Sequence, residues 1–442
     1  MASSQVWHIL GGGSLGLLCA FHLQTAGFAV NLILRSSSAV AAFKQNGSCV
    51  GLFESWRKDS VPSWRRSPPL QATSIPCLEK TASDNNRNVS CGESPPKGLG
   101  TTRIHRLILA TKAQDTVPAL RNLLPYMDPG CRCILLQNGV LAVAEELQQT
   151  LGEQLGWPTS RQGLHPQGRA TTCADVAGSK GDAAGKMRLY VASVTHGCYK
   201  EAPPHQDIQH AGPTAALSDR LALGLVHAGF GSITVGVLGP LLASAAALAF
   251  TEQPFFTHSP PCRRDMAAVH GDDMAFLQDL AAGVPSLNIR PEADPIVLLH
   301  GLLAKLAANC AINPLTVLLG CCNGTLTELP HTRGIMLDIC RELIAIFGPT
   351  PFSPLGSTSG GRELVPLNHP TTPEKALYDW VLAVAVATAK NRSSMLQDIV
   401  AGRPTELDYL SGWVLRAAAA RGLQAPVNAT LHALVKARER LE

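Results

Sequence analysis

The stretch VWHILGGGSLGLLCAFHLQTAGFAVNLILR, residues 6–35, has the pattern of a strand, a helix and a second strand. Residues 6–10 are a short apolar run, and residues 17–25 are an apolar segment of helical length. A second apolar run, residues 29–34, ends at Arg35. Because two parallel strands are usually joined by a helix, this order predicts a βαβ unit and therefore an α/β fold.

A glycine-rich turn of the form G-x-G-x-x-G joins the first strand to the helix. Its glycines permit a tight turn, a close approach of the backbone to a pyrophosphate, and close packing of helix on strand. The helix N-terminus adds N–H groups and a positive dipole end. A lone motif of this kind is weak, but its position between a strand and a helix strengthens it. The residues predicted to hold a dinucleotide are Gly11, Gly13, Ser14, Leu15 and Gly16.

Arg35 stands where the second strand ends, and Ser36, Ser37 and Ser38 follow it. Sites for NAD usually carry Asp or Glu at this place, because a carboxylate accepts a hydrogen bond from the ribose 2′-hydroxyl. A guanidinium cannot accept that bond but pairs well with a 2′-phosphate. Arg35 therefore favours NADP(H), although an ordinary surface arginine at a strand end is the alternative interpretation.

The composition limits the classes of partner. The chain has 442 residues, 45% of them hydrophobic, which predicts about two or three domains with packed cores. The net charge of +4 gives no argument for a nucleic-acid partner. The 13 cysteines include no CxxC pair, so no metal site is predicted and reduced thiols are expected. No signal peptide is recognised, and a cytoplasmic location is expected.

The most apolar run, residues 233–250, is long enough to be considered as a membrane span. Gly236, Gly239 and Pro240 interrupt it, and small residues dominate its second half. We therefore expect a buried strand, turn and helix there, and no membrane partner.

Three polar stretches divide the chain and predict its domains. Residues near 54–100, 157–186 and 251–273 are rich in turn-forming and charged residues, and they are interpreted as loop insertions. From about residue 291 the pattern becomes helical. The predicted organisation is an α/β domain over residues 1–290 and an all-helical domain over residues 291–442.

Two polar residues follow further predicted strands of the first domain. Lys112 follows the strand near residues 106–110, and Asn138 follows the strand near residues 133–136. The carboxyl ends of parallel strands face the ligand crevice in such folds, so both are predicted to lie at the cofactor. A plain Asn-Gly turn is the alternative for Asn138. His196 and His210 also follow possible strand ends, and structural roles are favoured for them because no third metal ligand is spaced suitably.

The segment KLAANCAINPLTVLLGCCNGTL, residues 305–326, places polar residues in an otherwise apolar sequence. Lys305 and Asn309 are one helical turn apart, and Asn313 continues the row. Pro314 is expected to end or kink the helix, and Asn323 begins a turn. The row is either a helix with one snorkelling lysine or the lining of a cleft, and the segment alone leaves both open.

Further along, residues 394–400 have a helical pattern that Gly402 and Pro404 interrupt. Thr405 is expected to cap a helix over residues 406–421. Glu406 would then lie in the first helical turn, where the dipole favours its ionised form. The plain alternative is that this glutamate only serves the helix dipole.

Taken together, these motifs resemble the ketopantoate reductase (2-dehydropantoate 2-reductase) family. The resemblance rests on GGGSLG, Arg35, ATKAQ around Lys112 and QNG around Asn138 in the first domain. In the second domain it rests on the segment at residues 305–326, SSMLQDIVAGRPTELDYLSGWV, and GLQAPVN near the end. The polar insertions are departures from a compact family member.

The resemblance implies an α/β Rossmann-like domain followed by an all-α domain, with NADPH and a 2-oxo acid bound between them. It implies that Lys305 is the catalytic lysine and Glu406 the active-site glutamate. By the same resemblance the substrate-binding residues are Asn309, Asn313, Asn323 and Ser394. The expected activity is reduction of ketopantoate to pantoate, a precursor of pantothenate and coenzyme A, and a homodimer is a possible assembly. The alternatives are a reductase of another 2-oxo acid and a catalytically idle NADP(H)-binding protein.

Overall fold

The computed structural model describes residues 6–45, 47–56, 64–74, 103–152, 187–200, 223–239, 271–352 and 372–441. These residues form two compact units. The first unit takes the described residues of 1–137, 145–238 and 259–293, and the second takes those of 138–144, 239–258 and 294–442. The second unit therefore begins close to the predicted position, and it also includes the short segment 138–144 from the α/β part of the sequence.

The first unit combines strands and helices in alternation. Its strands are β1 (Trp7–Leu10), β2 (Val30–Leu34), β3 (Val50–Glu54), β4 (Trp64–Arg66), β5 (Gln71–Ser74), β6 (Ile104–Leu109), β7 (Met127–Leu135), β8 (Arg188–Val194), β9 (Gly197–Lys200), β10 (Leu223–Gly229), β11 (Ile233–Val237) and β12 (Ile289–Pro291). Its helices are α1 (Ser14–Thr25), α2 (Ser37–Gln45), α3 (Ala113–Leu123), most of α4 (Val140–Leu151), and α5 (Gly271–Gly283).

Eight of these strands form one sheet in the order β12-β11-β8-β7-β6-β1-β2-β5. All neighbours from β8 to β5 are parallel, and β11 runs antiparallel to β8. The chain order reverses between β1 and β6, which is the switch point where doubly wound sheets bind ligands. The α/β fold class expected for this part of the chain is confirmed.

Helix α1 is apolar on all sides because it is covered on all sides. It contacts β1 and β2 of the large sheet and also β3, β9 and β10 of a second sheet, which has the order β4-β3-β10-β9. Every residue from Gly16 to Leu23 is buried. A helix buried all round needs no polar face, so its sequence shows little amphipathic pattern.

The prediction of a structureless insertion over residues 54–100 was wrong in part. Within that stretch, β4 pairs with β3, and β5 pairs in parallel with β2 at the edge of the large sheet. Their short length and polar residues hid the strand pattern. The predicted insertion at 157–186 lies outside the described residues. Of the third insertion only its last residues are described, and they begin helix α5.

The second unit is helical in the part of the chain that the structure describes, as expected. Its helices are α6 (Pro295–Leu319), α7 (Thr325–Glu328), α8 (Pro330–Phe347), α9 (Pro373–Ala387), α10 (Ser394–Val400), α11 (Ser411–Ala419) and α12 (Pro426–Arg438). Helix α6 contacts α8, α9, α10 and α12, so it is the centre of this unit.

Helix α6 begins and ends with well-formed caps. Asp294 accepts a hydrogen bond from Ile296 N at 2.9 Å, and Pro295 occupies the first helical position. Gly320, with φ +64°, ends the helix. Pro314 was expected to end or kink the helix, and the first alternative was wrong, because the helix continues to Leu319. Pro314 is buried within the helix.

By length and composition, α6 is the one helix among the described residues that could cross a membrane. Sixteen of its residues are buried, and the helices around it belong to the same unit. Its apolar sequence is therefore explained by its position in a protein core, where polar residues are costly unless they have partners.

The predicted helix over residues 406–421 was wrong at its start. A 3-10 turn covers Leu407–Tyr409, and the α-helix α11 begins only at Ser411. Glu406 precedes the 3-10 turn with φ −92° and ψ 21°. The expected helix-dipole support for its carboxylate in a first α-helical turn is therefore absent.

Helix α12 is capped by a residue from another helix. Glu342 of α8 accepts hydrogen bonds from Val427 N at 2.6 Å, Asn428 N at 3.0 Å and Asn428 Nδ2 at 2.8 Å. These bonds satisfy backbone N–H groups of the first turn, which have no partner inside the helix. Glu342 thus joins the N-terminal end of α12 to α8.

We predict that Glu342→Ala lowers the free energy of unfolding by about 2–4 kcal/mol, because hydrogen bonds to a charged group are lost and N–H groups lose their acceptor. The control is Asp338→Asn on the same helix, which removes only the exposed ion pair with Arg341. Its expected effect is within about 0.5 kcal/mol. Urea denaturation of both variants measures the difference, and equal losses would contradict this role for Glu342.

Candidate functional site

At two positions in the turn after β1, neighbouring backbone atoms leave room only for glycine. Gly11 has φ +114°, and a Cβ there would lie 2.6 Å from Ala110 O at the end of β6. A Cβ on Gly16 would collide with Gly11 O. Both positions therefore exclude any side chain, because backbone atoms at these distances cannot move aside cheaply.

Gly13 is different, because no described residue packs so closely that it requires a glycine there. Its φ is −73°, and a Cβ would meet only Ala110 O, at an ordinary contact distance of 3.6 Å. It is the N-cap residue of α1, and no side chain caps this helix. The turn thus leaves open space in front of uncapped N–H groups, which suits a phosphate group.

The other predicted cofactor residues lie at the carboxyl edge of the same sheet. Arg35 follows β2 and is exposed. The next residue, Ser36, accepts a hydrogen bond from Ala39 N at 3.1 Å. Ser36 thus caps helix α2, which begins at Ser37. Lys112 follows β6 and is the N-cap residue of α3, with a partly exposed side chain. Their use in binding a cofactor stays a prediction.

Sequence reasoning did not single out Gln137, which closes the end of β7. Its Nε2 donates to Leu109 O at 2.9 Å, and this links the ends of β7 and β6. Thr111 Oγ1 lies 3.0 Å from Thr116 Oγ1 and ties the next residues to α3. The signal for Gln137 was its place directly before Asn138 in the QNG sequence.

In the second unit, Lys305 lies on the central helix α6 with a half-buried side chain. Burial lowers the pKa of Lys305 to about 8, and the nearby Glu406 carboxylate opposes part of that shift. An ammonium group with a pKa near neutrality can give up a proton readily, as general acids must.

Glu406 is buried, with 6% exposure, and its carboxylate has a polar neighbour besides Lys305. Asn138 Nδ2 donates a hydrogen bond to Glu406 Oε2 at 3.1 Å. Asn138 was predicted to lie at the cofactor, and the structure places its amide on this carboxylate. A predicted cofactor residue and a predicted catalytic residue, far apart in sequence, are thus direct neighbours within the second unit.

The backbone around Asn138 explains how this contact is held. Gly139 has φ +63°, and a Cβ there would lie 2.5 Å from Tyr409 O in the 3-10 turn after Glu406. Only glycine permits this close approach of the two backbones. The Asn-Gly pair is therefore more than a plain turn, because it brings the amide of Asn138 to Glu406.

The predicted asparagine row divides into different environments. Asn309 is half-buried one turn after Lys305, whereas Asn313 is buried inside α6. Asn323 Nδ2 donates to Thr388 Oγ1 at 2.9 Å. Its Oδ1 is buried and has no hydrogen-bond partner among the described residues. The side-chain oxygen of Asn323 is therefore an acceptor without a partner among the described residues, whereas its side-chain nitrogen already donates one hydrogen bond.

Two neighbouring serines have separate positions at the start of α10. Ser393 is the N-cap residue, and its Oγ accepts a hydrogen bond from Leu396 N at 3.1 Å and lies 2.7 Å from Thr316 Oγ1. Ser394 is the first helical residue and is exposed. Ser393 rather than Ser394 therefore caps α10.

His196 has the structural role that was favoured for it. Its Nδ1 accepts a hydrogen bond from Gly231 N at 3.2 Å and lies 3.0 Å from His227 Nε2. Its Nε2 lies 3.0 Å from Leu287 O, and burial lowers the pKa of the imidazole. A neutral ring that links these loops fits all the contacts. His210 lies outside the described residues.

Comparison with protein-family models gives two matches of one family. Residues 7–218 match the model described as "Ketopantoate reductase PanE/ApbA", and residues 298–439 match "Ketopantoate reductase PanE/ApbA C terminal". The two matches are in the same order as the two parts of the chain described above.

Curated relatives and solved structures give similar results. A 2-dehydropantoate 2-reductase of Shigella flexneri is 38% identical over 188 residues, which cover 41% of this chain and 50% of the relative. A probable 2-dehydropantoate 2-reductase of Schizosaccharomyces pombe is 26% identical over 98% of this chain and 95% of its own. A D-mandelate dehydrogenase structure with NADH and anilino(oxo)acetate matches in fold, with a TM-score of 0.57, 15% identity and 99% coverage of both chains.

We predict that Gly16→Ala destabilises the protein strongly, by about 2–4 kcal/mol, because its Cβ would collide with backbone that cannot move aside. Gly13→Ala, in the same turn, should change the thermal unfolding midpoint by no more than a degree or two, roughly the effect of a tolerated surface substitution. Circular dichroism melts of the two variants compare them directly. A similar loss in both would show that Gly13 is also a packing residue.

Proposed function

Because the chain belongs to the ketopantoate reductase family, we propose that it reduces 2-dehydropantoate to pantoate with NADPH as the reductant. The observation that carries the proposal is Lys305, an ammonium group on an apolar helix with a pKa of about 8 and the Glu406 carboxylate nearby. The Shigella flexneri relative, of which the alignment covers about half, carries this activity in its name. The pathway to pantothenate and coenzyme A follows from the proposed product.

The residues of the turn after β1 suit a nicotinamide dinucleotide. Gly13 leaves room in front of the N-terminus of α1, and that helix end offers N–H groups to a pyrophosphate. Arg35 is exposed at the end of β2, where a 2′-phosphate would be held by a guanidinium. Bound NADPH would supply the hydride for the reaction.

Lys305 is proposed as the proton donor. Hydride addition to the carbonyl carbon leaves negative charge on the oxygen, and the ammonium stabilises this charge and delivers a proton from Nζ to that oxygen. The electrostatic attraction of the Glu406 carboxylate raises the pKa of Lys305 above the value that burial alone would give. Asn138 fixes the carboxylate of Glu406 through its amide.

The remaining predicted residues are proposed to bind the substrate. Asn309 is half-buried next to Lys305, and Ser394 is exposed at the start of α10, so both can reach a ligand. Asn323 would accept a hydrogen bond from a substrate hydroxyl through its free Oδ1, since its amide nitrogen already donates to Thr388. Asn313 is as buried as Asn323, with 7% exposure, and its contact with the substrate stays a prediction from the resemblance.

A second candidate is reduction of another 2-oxo acid. The dehydrogenase with the similar fold holds anilino(oxo)acetate, so the fold accommodates other 2-oxo acids. The deciding experiment follows the loss of NADPH absorbance with ketopantoate and with a panel of 2-oxo acids. A much larger kcat/KM for ketopantoate supports the first candidate, and no turnover of any compound would favour an idle dinucleotide-binding protein.

We predict that Arg35→Ala raises the KM for NADPH by about 10–100-fold, because one charge-assisted contact with the 2′-phosphate is lost. The KM for NADH, which lacks this phosphate, should hardly change. Arg66→Ala, an exposed arginine of β4, is the matched control. Equal effects on both cofactors would remove Arg35 from the proposed phosphate site.

We predict that Lys305→Ala lowers kcat by about 10²–10⁴ while NADPH binding is retained, because the variant lacks the proton donor. Stopped-flow kinetics and cofactor fluorescence measure the two effects separately. Lys375→Ala, which removes an exposed lysine of the same unit, should leave both unchanged. A near-normal kcat in Lys305→Ala would contradict the assignment.

The pH profile should also report Lys305. Because the proton donor must be protonated, kcat/KM is expected to fall as the pH rises through about 8. The Glu406 carboxylate raises the pKa of Lys305, so Glu406→Gln should move this fall to lower pH. An unchanged midpoint in Glu406→Gln would show that this carboxylate does not control the group that titrates.

A further inference from the structure

Glu406 lies in a short segment that residues distant in the sequence hold in place through hydrogen bonds and packing. The segment Thr405–Tyr409 contains only one 3-10 turn, which begins after Glu406. Tyr409 N donates to Glu406 O at 3.0 Å in this turn, and short 3-10 turns have poorer hydrogen-bond geometry than α-helices. On one side the segment is supported by Asn138 and by the close packing of Gly139 on Tyr409.

The other support comes from Glu439, the residue that ends helix α12. Its Oε1 accepts hydrogen bonds from Thr405 N at 3.0 Å and from Thr405 Oγ1 at 2.5 Å. Thr405 Oγ1 in turn accepts a hydrogen bond from Leu407 N at 3.3 Å. One carboxylate thus holds the residue before Glu406 directly and the residue after it through the Thr405 hydroxyl.

A second contact joins the same two segments through Lys436 of α12. Its Nζ lies 2.7 Å from Asp408 Oδ2 and 3.2 Å from Glu439 Oε2. His432 Nε2 lies 2.9 Å from Asp408 Oδ1. Arg416 Nη1 also donates a hydrogen bond to Asp408 O at 3.3 Å, which adds a further charged group to this junction.

The Lys436–Asp408 ion pair and the Glu439–Thr405 hydrogen bonds differ in how far they are exposed to solvent, and therefore in strength. Asp408 is 55% exposed and Lys436 is 37% exposed, so solvent screens their pairing and its net contribution is small. Glu439 is only 16% exposed. Burial alone would raise the pKa of Glu439, but hydrogen bonds from Thr405 and Lys436 lower it below its usual value. The carboxylate is therefore the ionised acceptor that Thr405 needs.

We infer that Glu439 is a positioning residue that holds the Glu406 carboxylate at its distance from Lys305 through the backbone of Thr405. This inference rests on the proposed function only in giving Glu406 and Lys305 a role in catalysis. The contact itself is a property of the folded helical unit.

Glu439 would affect the pKa of Lys305 through the distance between the Glu406 carboxylate and the Lys305 ammonium. The attraction between a carboxylate and an ammonium falls as they separate, and it is strong only where water is excluded. If Thr405 loses its acceptor, the segment loosens and Glu406 spends less time close to Lys305. Lys305 then keeps the burial that lowers its pKa and loses part of the attraction that raises it.

The experiment compares two attachments of the same helix. Glu439→Ala removes the contact beside Glu406, and Glu342→Ala removes the contact at the opposite end of α12. Both should lower the thermal unfolding midpoint. Only Glu439→Ala should also move the alkaline fall of kcat/KM to lower pH, in the direction of Glu406→Gln and by no more than that variant does. A purely structural Glu439 would leave the pH midpoint at the wild-type value.

Two further variants keep the test decisive if Glu439→Ala folds poorly. Glu439→Gln keeps an oxygen that can accept from Thr405, so it should restore most of the wild-type pH midpoint. The double variant of Glu406→Gln with Glu439→Ala should show no further shift beyond Glu406→Gln, because both act on one charge. An additive shift in the double variant would overturn the inference.

A measurement without substrate separates this inference from the proposed function. The side-chain NMR signal of Lys305, identified by its absence in Lys305→Arg, is titrated in the wild type and in Glu439→Ala. A lower titration midpoint in Glu439→Ala supports the positioning role even if no 2-oxo acid is turned over. An equal midpoint overturns it, whether or not the protein proves to be a ketopantoate reductase.

Discussion

The interaction on which the proposed chemistry of the helical unit depends is the attraction between the Lys305 ammonium and the Glu406 carboxylate. Helix α6 is built from apolar residues because it is the centre of a helical core, and an ammonium in such a place is costly. Burial lowers the pKa of Lys305 to about 8, and Glu406 limits that fall. The balance between these two effects keeps a proton that is both present and easily released near neutral pH.

Such a balance requires that the carboxylate be held at a defined distance, and the surrounding structure meets this requirement with short-range contacts. Asn138 donates to Glu406, Gly139 packs on Tyr409, and Glu439 holds Thr405. The contacts come from two distant parts of the chain, residues 138–139 and residue 439. These contacts tie the segment around Glu406, which lies outside any α-helix, to the rest of the helical unit.

The turn after β1 shows how one motif contains residues with different reasons for being glycine. Gly11 and Gly16 are explained by contacts within the protein, since a side chain at either position would strike backbone. Gly13 has room for a side chain among the described residues. The proposed dinucleotide, which would approach the N-terminus of α1, would supply a reason for glycine at this position.

The sequence by itself determined the first βαβ unit, the division into an α/β and a helical part, and the family. These features depend on local patterns: the period of apolar residues, the glycine turn after β1, and the motif at residues 305–326. Local patterns did not predict β4 and β5, the passage of α6 through Pro314, or the 3-10 turn after Glu406, because partners distant in the chain stabilise these elements. Only the tertiary structure decided that Ser393 rather than Ser394 caps α10, and that Asn138 and Glu439 hold the Glu406 segment. Hydrogen bonds between residues so far apart leave no periodic trace in a single sequence, because their geometry exists only after the chain has folded.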